Sequence, residues 1–261
     1  MSFVQTEFLG PTATRLWLNR PQALNALSPE LLQELDAALS ALESEAEARN
    51  PELRVVVIQG RGSKAMSAGA DVGALSDAGG GQLSAQGQAV LHHFAASRLI
   101  TLAVMEGYVL GGGLELAMAA DLRLATSTAK LGLPEIALGL VPGFGGTQRL
   151  PTLIGPARAL WMILSGEPIS AAEAERAGLV NWVVAPEALE AELRDRILRL
   201  SRKPARALAL AKALIRPGGG PVTDEGLARE NAAFAELVET EEAQAAIRSF
   251  MNGNRSPNSK I

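Results

Sequence analysis

The chain has 261 residues, 48% of them hydrophobic and 20% charged, with a formal net charge of -4 and no cysteine. That length and apolar content suffice for one large domain, or one domain with a helical appendage, around a substantial core. The acidic balance gives no general attraction to nucleic acid, the lack of cysteine removes a disulfide framework or a thiolate metal site, and no uninterrupted apolar run reaches membrane-spanning length. Residues 1–8 carry no basic stretch leading into an apolar run, so the chain reads as a soluble cytoplasmic protein.

In chain order, residues 12–18 read as a strand. Ser28 then caps a helix with Pro29 at its first position and Leu31, Leu35, Leu39 and Leu42 along one face. The apolar run Val55-Val56-Val57-Ile58 reads as a buried strand, followed by a loop of small residues over 64–72 and a helix over 82–98 that contains the adjacent His92 and His93. Short strands at 102–105 and 122–125 bracket a helix opened by Gly111-Gly112-Gly113, so the middle of the chain alternates strand, glycine turn and helix as an α/β core does. From Thr147 onward helices dominate. Ser170 and Glu173 form a capping box, helices near 188–200 and 205–215 follow, and a long helix is expected from about 223 to 250. Gly218-Gly219-Gly220-Pro221 is the best hinge or linker candidate. The alanine-rich helix after it has an apolar face too small to be stable unburied, so it packs on a neighbouring subunit or back on its own core.

Two glutamates stand out because each sits in an apolar, glycine-marked segment: Glu115 in Gly113-Leu114-Glu115-Leu116-Ala117 and Glu135 in Leu133-Pro134-Glu135-Ile136-Ala137. A lone glutamate between Leu and Ala is usually a solvated helix residue or a cap. Glu115, however, follows three glycines whose bare backbone can approach a ligand, and Glu135 precedes a second glycine-dense turn over 141–148. Such a setting raises a carboxyl pKa toward the range where a general acid or base works best. A backbone N–H from the small-residue loop 64–72 and one from the triglycine can together bind an oxyanion.

Five segments, 19–27 (Asn19 through Leu27), 64–72, 106–117, 131–135 and 142–149, resemble the motifs of the enoyl-CoA hydratase/isomerase (crotonase) superfamily, in order and at similar separations. The match runs on through 166–171 and 177–180 into the C-terminal helices, covers nearly the whole chain, and is nearest to enoyl-CoA hydratase. The resemblance implies an α/β crotonase-like spiral of repeated strand-strand-helix turns over residues 1–200, with a C-terminal helical oligomerisation region over 201–261. It implies that the Ala70 and Gly112 N–H groups form an oxyanion hole for a thioester carbonyl. Glu115 and Glu135 become the acid/base pair, with Glu135 donating the proton to carbon and Glu115 acting as base on water. Ala23, Leu24, Lys64, Ala68, Asp71 and Val72 match positions along the substrate and coenzyme A path, and Gly143 matches a glycine near the catalytic water. No metal and no separate cofactor are implied, coenzyme A being part of the substrate. The implied partners are an acyl-CoA thioester and further copies of the chain, as a homotrimer or dimer of trimers, with no nucleic acid and no membrane. The implied setting is fatty-acid β-oxidation.

The sequence also departs from the family pattern. Gln22 stands where a lysine or arginine is common, leaving Arg20, Arg61 and Lys64 to draw an anionic coenzyme. The tail from Phe250 lacks the usual acidic-basic pair and closing aromatic. Phe144 replaces a frequent small residue, and a ring pointing inward there would reshape the acyl pocket.

Competing motifs are weak. Gly60-Arg61-Gly62-Ser63-Lys64-Ala65 fits a loose dinucleotide fingerprint but opens no clear helix, and Ala65-Met66-Ser67-Ala68-Gly69 loosely resembles a nucleophile elbow with no histidine downstream of His93 to complete a triad. His92 and His93 have no metal-ligand spacing and read as structural. Three readings stay open: a 2-enoyl-CoA hydratase, another crotonase-type acyl-CoA reaction such as double-bond isomerisation, and a non-catalytic scaffold or RNA binder, against whose RNA form the acidic balance counts.

Overall fold

The computed structural model describes residues 2–77, 80–215 and 223–251. Strands β1 (Val4–Phe8) and β2 (Ala13–Leu18) pair antiparallel and lead into helix α1 (Pro29–Ala48). The Ser28 side chain accepts from the Leu31 N–H at the start of α1, and Leu31, Leu32, Leu35, Leu39 and Leu42 are buried along it, as the three-to-four-residue spacing requires.

The chain then repeats one pattern three times. Strands β3 (Val55–Gly60) and β4 (Ala65–Ser67) precede helices α2 (Val72–Asp77) and α3 (Gly80–Ala96). Strands β5 (Ile100–Met105) and β6 (Tyr108–Leu110) precede helix α4 (Gly112–Ala119). Strands β7 (Leu122–Thr126) and β8 (Lys130–Gly132) precede a 3-10 turn, Pro134–Leu138, and helices α5 (Gly146–Ile154) and α6 (Pro156–Ser165). A short strand β9 (Ile169–Ser170), helix α7 (Ala171–Ala177) and strand β10 (Trp182–Val184) finish both sheets. The first strand of each turn joins a six-stranded sheet of order β1-β2-β3-β5-β7-β10, and the second joins a four-stranded sheet of order β4-β6-β8-β9. From β2 to β10 the large sheet is parallel, and β4, β6 and β8 are parallel to one another. This is the strand-strand-helix spiral expected from the motifs.

Successive residues of the central strands face opposite layers. Val56 and Ile58 of β3 point into the main core with α1, α3 and α4, whereas Val55 and Val57 pack with Leu189, Leu193 and Ile197 of helix α8 (Leu189–Ser201). Burial on both faces explains why β3 reads as an unbroken apolar run. His93 on α3 bonds Asp36 at 2.7 Å and Glu43 at 3.0 Å on α1, a structural tie between two helices, and His92 is exposed.

Helix α9 (Ala205–Ile215) is pinned to the large sheet by Lys212, whose buried ammonium lies 2.8 Å from Asp121 and donates to the Leu99 carbonyl at 2.8 Å. In place of the single long C-terminal helix there are two, α10 (Asp224–Val238) and α11 (Glu241–Met251). Thr240 makes the break: its hydroxyl donates to the Leu237 carbonyl at 2.7 Å and accepts from the Ala243 N–H at 3.2 Å, ending one helix and capping the next. The hinge candidate at Gly218-Gly219-Gly220-Pro221 and the tail beyond Met251 lie outside the described residues. Among the described residues, no helix is long and apolar enough to cross a membrane.

Candidate active site

The spiral delivers its functional groups by repetition. Each of the three parallel strands of the small sheet ends, and within three residues the chain presents a group the sequence singled out: Ala70 after β4, Gly112 after β6 and Glu135 after β8. Because these strands are parallel neighbours, their carboxyl ends lie side by side, the edge at which parallel sheets ordinarily place ligands.

Gly111 takes a left-handed φ of 50° to turn out of β6, and Gly112 is the first residue of α4, so its N–H has no carbonyl one turn earlier within the helix. A methyl on Gly112 would stand 3.3 Å from the Ala70 nitrogen, and one on Gly69 would stand 3.6 Å from the Gly112 nitrogen. The two amides therefore border one small space. Among the described residues neither N–H donates to a protein acceptor, while their neighbours do: Gly111 N–H to the Gly132 carbonyl and Asp71 N–H to the Leu27 carbonyl.

Glu115, one turn into α4, is 1% exposed. Its Oε1 accepts from the Phe144 N–H at 2.8 Å and the Gly146 N–H at 2.6 Å. Among the described residues no donor reaches Oε2, which stays available to a substrate or a water. Burial pushes the Glu115 pKa up to about 7, with the Glu135 charge adding to the rise, against the two backbone donors and Arg149, which lower it. Glu135 lies in the 3-10 turn, with Oε1 beside Gly111, where an added methyl would meet it at 3.1 Å. Its Oε2 is buried with no hydrogen-bond partner among the described residues, and burial raises its pKa as well. The charge of Glu135 thus adds to burial in disfavouring the ionised form of Glu115.

The turn that supplies Glu115 with donors was visible as a glycine-dense stretch, but not its role. Phe144 and Gly146 act through backbone N–H groups 29 and 31 residues away from Glu115, and the Phe144 carbonyl is held by Arg149 at 2.8 Å. The Phe144 side chain does point inward, 3% exposed, and its ring fills the space between Gly87 of α3 and Gly112: a methyl on either glycine would come within 2.4 and 2.9 Å of ring carbons. The sequence reading had no signal for Gly87 as the ring's seat.

The expected substrate-path residues form one ribbon. Ala68 N–H donates to the Leu24 carbonyl at 2.9 Å and Leu27 N–H to the Gly69 carbonyl at 2.8 Å, so Ala23 and Leu24 run alongside the loop from Lys64 to Val72. Leu24, Lys64 and Val72 are exposed there. Asp71 is different: its carboxylate pairs with Arg20 at 2.9 Å and accepts from the Gly73 N–H at 3.1 Å, which occupies the side chain within the protein. Arg20 is thereby held too, and Arg61 stacks over Trp17 with its guanidinium carbon 4.1 Å from the ring centre, leaving Lys64 as the exposed cation of the three. The Gly143 carbonyl is turned away from the carboxylates to Ser84 and Gln88 of α3.

Asn25 holds the ribbon in register. Fully buried at a left-handed φ of 53°, it donates to the Arg61 and Ala65 carbonyls at 3.0 and 2.9 Å and accepts from the Arg20 N–H at 2.9 Å. Asn25→Ala strands these backbone groups and places a residue that disfavours this φ there, so it should destabilise the fold by about 3 kcal/mol, read as a lower urea midpoint. An unchanged midpoint would mean that water replaces the side chain without cost.

A doubly layered spiral brings two backbone donors, free among the described residues, and two carboxyls of raised pKa to the carboxyl edge of the parallel strands of a small sheet, groups of the kind that acid/base and oxyanion chemistry use. The family profile described as Enoyl-CoA hydratase/isomerase matches residues 12–258. The chain belongs to that family. It is 37% identical over 244 residues to a crotonyl-CoA hydratase of Syntrophomonas wolfei, covering 92% of each chain. It is 36% identical over 237 residues to a short-chain-enoyl-CoA hydratase of Clostridium acetobutylicum, covering 90% of this chain and 89% of that one. A crystal structure of an enoyl-CoA hydratase from Bacillus anthracis superposes with a TM-score of 0.89 at 33% identity, covering 96% of both chains.

Proposed function

We propose that the protein is a 2-enoyl-CoA hydratase, a hydro-lyase that adds water across the 2,3-double bond of an enoyl thioester. The observation that carries this reading is the placement, by three consecutive turns of one spiral, of two uncommitted amides and two carboxyls of raised pKa around a single space. Relatives named as hydratases across nearly the full length support it.

In this reading the thioester oxygen lies against the Ala70 and Gly112 N–H groups. Water attacks C3, the C2=C3 π electrons move toward C2 and the carbonyl, and the amides meet the charge, each lowering the barrier by roughly 3 kcal/mol. Glu115 takes the proton from water through Oε2 while Glu135 gives its proton to C2. One carboxyl gains a proton and the other loses one, so the pair re-equilibrates before the next turnover. Glu135, with a buried oxygen lacking a donor, suits the protonated role; Glu115, with two N–H donors on one oxygen, suits the ionised one.

The coenzyme would follow the ribbon of Ala23, Leu24, Lys64, Ala68 and Val72, with Asp71 holding Arg20 in place beneath it. We assign residues 201–261 to self-assembly as a trimer or dimer of trimers and place the enzyme in the cytoplasm, in fatty-acid β-oxidation. Exposed apolar side chains on α6 (Leu160, Trp161, Leu164) and on α10 (Leu227, Phe234) favour assembly. Sedimentation equilibrium at micromolar protein should give three or six chain masses, and a monomer would remove this assignment.

The test of the activity is loss of enoyl-thioester absorbance when the purified protein meets crotonyl-CoA and then longer 2-enoyl-CoAs. Rapid loss is expected on at least one chain length; no loss on any of them would sink the hydratase reading.

A further inference from the structure

One peptide group connects helix α3 to Glu115. The carbonyl of Gly143 accepts from the Ser84 hydroxyl at 2.6 Å and from the Gln88 side-chain amide at 2.9 Å. The N–H on the other side of that same peptide bond, that of Phe144, donates to Glu115 Oε1 at 2.8 Å. Donors on a carbonyl oxygen draw electron density out of the amide and make its N–H a stronger donor, so hydrogen bonds in series reinforce one another. The Gly146 N–H also reaches Glu115 Oε1 at 2.6 Å, and the Gly145 carbonyl of its own peptide accepts from the backbone N–H groups of Gln148 and Arg149 at 3.1 and 3.0 Å, so that donor is supported from within α5 while the Phe144 donor is supported by side chains of α3.

We propose that Ser84 and Gln88 are positioning residues for the reaction, acting on Glu115 through the Gly143–Phe144 peptide. They fix the loop that orients the carboxylate and strengthen one of its two backbone donors, favouring the ionised form that takes a proton from water. Neither touches the reacting atoms. This inference rests on Glu115 serving as the base, but the linkage itself is a property of the protein without substrate.

The other groups facing Glu115 are accounted for. Glu135 faces it from the 3-10 turn and opposes ionisation, and Arg149 of α5 favours it. The only titratable groups on α3 are His92, which is exposed, and His93, which is bound to Asp36 and Glu43 of α1. The contacts from α3 to the Gly143 carbonyl are neutral hydrogen bonds, and the one ring on this helix whose pKa is raised, His93, is paired with Asp36 and Glu43 of α1.

The test compares the full chain with Ser84→Ala, Gln88→Leu, the double variant and Ser84→Thr, which keeps the hydroxyl. The first readout is the titration midpoint of the Glu115 carboxyl, followed by carbon-13 NMR in protein free of substrate. The double variant should move it upward by roughly half a pH unit, Ser84→Ala by most of that, and Ser84→Thr by little. The second readout is the pH profile of kcat on crotonyl-CoA. The acid limb should shift upward by the same amount, a loss of roughly threefold below the midpoint that vanishes at high pH, with KM unchanged. A midpoint that stays in place in the double variant overturns the proposal, whether or not activity or thermal stability falls, because a loop that is merely loosened loses activity at every pH. Gln88 is exposed, so Gln88→Leu keeps the test available if Ser84→Ala folds poorly. If wild-type protein hydrates no enoyl-CoA, the hydratase reading fails while the NMR titration still decides the linkage.

Discussion

Glu115→Gln is expected to lower kcat on a 2-enoyl-CoA by at least about 100-fold with KM little changed, and Glu135→Gln to do the same, because each removes a proton transfer made in the transition state. Glutamine keeps the size and one acceptor oxygen, so Glu115→Gln should still receive the Phe144 and Gly146 N–H bonds and leave the loop in place. The pH dependence is part of the same result. With Glu115 at about 7 in the fold, kcat/KM of the wild type should rise with pH through that value as the base ionises. The stability effect runs the opposite way. A carboxyl pKa raised from 4.5 to about 7 means that the folded state holds the proton more tightly than the unfolded chain, so stability is fully present below 4.5 and is lost as pH rises through 7. Glu115→Gln is neutral at every pH and should therefore be more stable than wild type at pH 8 by up to about 3 kcal/mol, with the advantage gone at pH 4.5. Thermal melts at both pH values beside steady-state assays check the pair of effects. Wild-type turnover in either glutamine variant would remove the two-carboxylate mechanism. A variant less stable at pH 8 would show that its hydrogen bonds, and not its burial, govern Glu115.

Local chemistry made part of this architecture readable in the chain. Ser28, Pro29 and the leucines of α1 state where that helix begins and which face it buries, the Ser170–Glu173 box does the same for α7, and the Val55 run announces a strand covered on both sides. The small sheet announces itself hardly at all. β4, β6 and β8 are three residues each, too short for alternation to register, and they exist because the spiral lays them parallel to one another. Both glutamates were legible because a charge among Leu, Ala and Gly is costly without a purpose. Their partners were not, since those are backbone groups of a distant turn, which carry no mark of residue type. The Arg20–Asp71 pair spans 51 positions, and only the fold reveals that these two charges satisfy each other before any ligand arrives. Phe144 falls between the two cases: the sequence flagged it as a departure, and its direction was decided by Gly87, whose missing side chain makes room for the ring.

Gly112→Ala is expected to abolish most of the catalysis, by at least about 100-fold in kcat, the loss that follows removal of one oxyanion donor. The backbone itself tolerates alanine, since Gly112 has an ordinary φ at the first position of α4 and alanine favours helices. The new methyl would stand 2.9 and 3.0 Å from two carbons of the Phe144 ring and 3.3 Å from the Ala70 nitrogen. It therefore either pushes the ring toward Gly87, where no space is left, or stands over the gap between the two amides where the thioester oxygen must sit. These routes are separable. Gly112→Ala combined with Phe144→Ala removes the ring and with it the first clash, leaving the methyl beside Ala70. If kcat stays low in the double variant while the melting temperature returns toward wild type, the methyl acts by closing the oxyanion space. Recovery of kcat to within about tenfold of Phe144→Ala alone would mean that the single variant failed by displacing the ring and the Glu115 donor attached to it, and that the two amides are not the site of charge stabilisation.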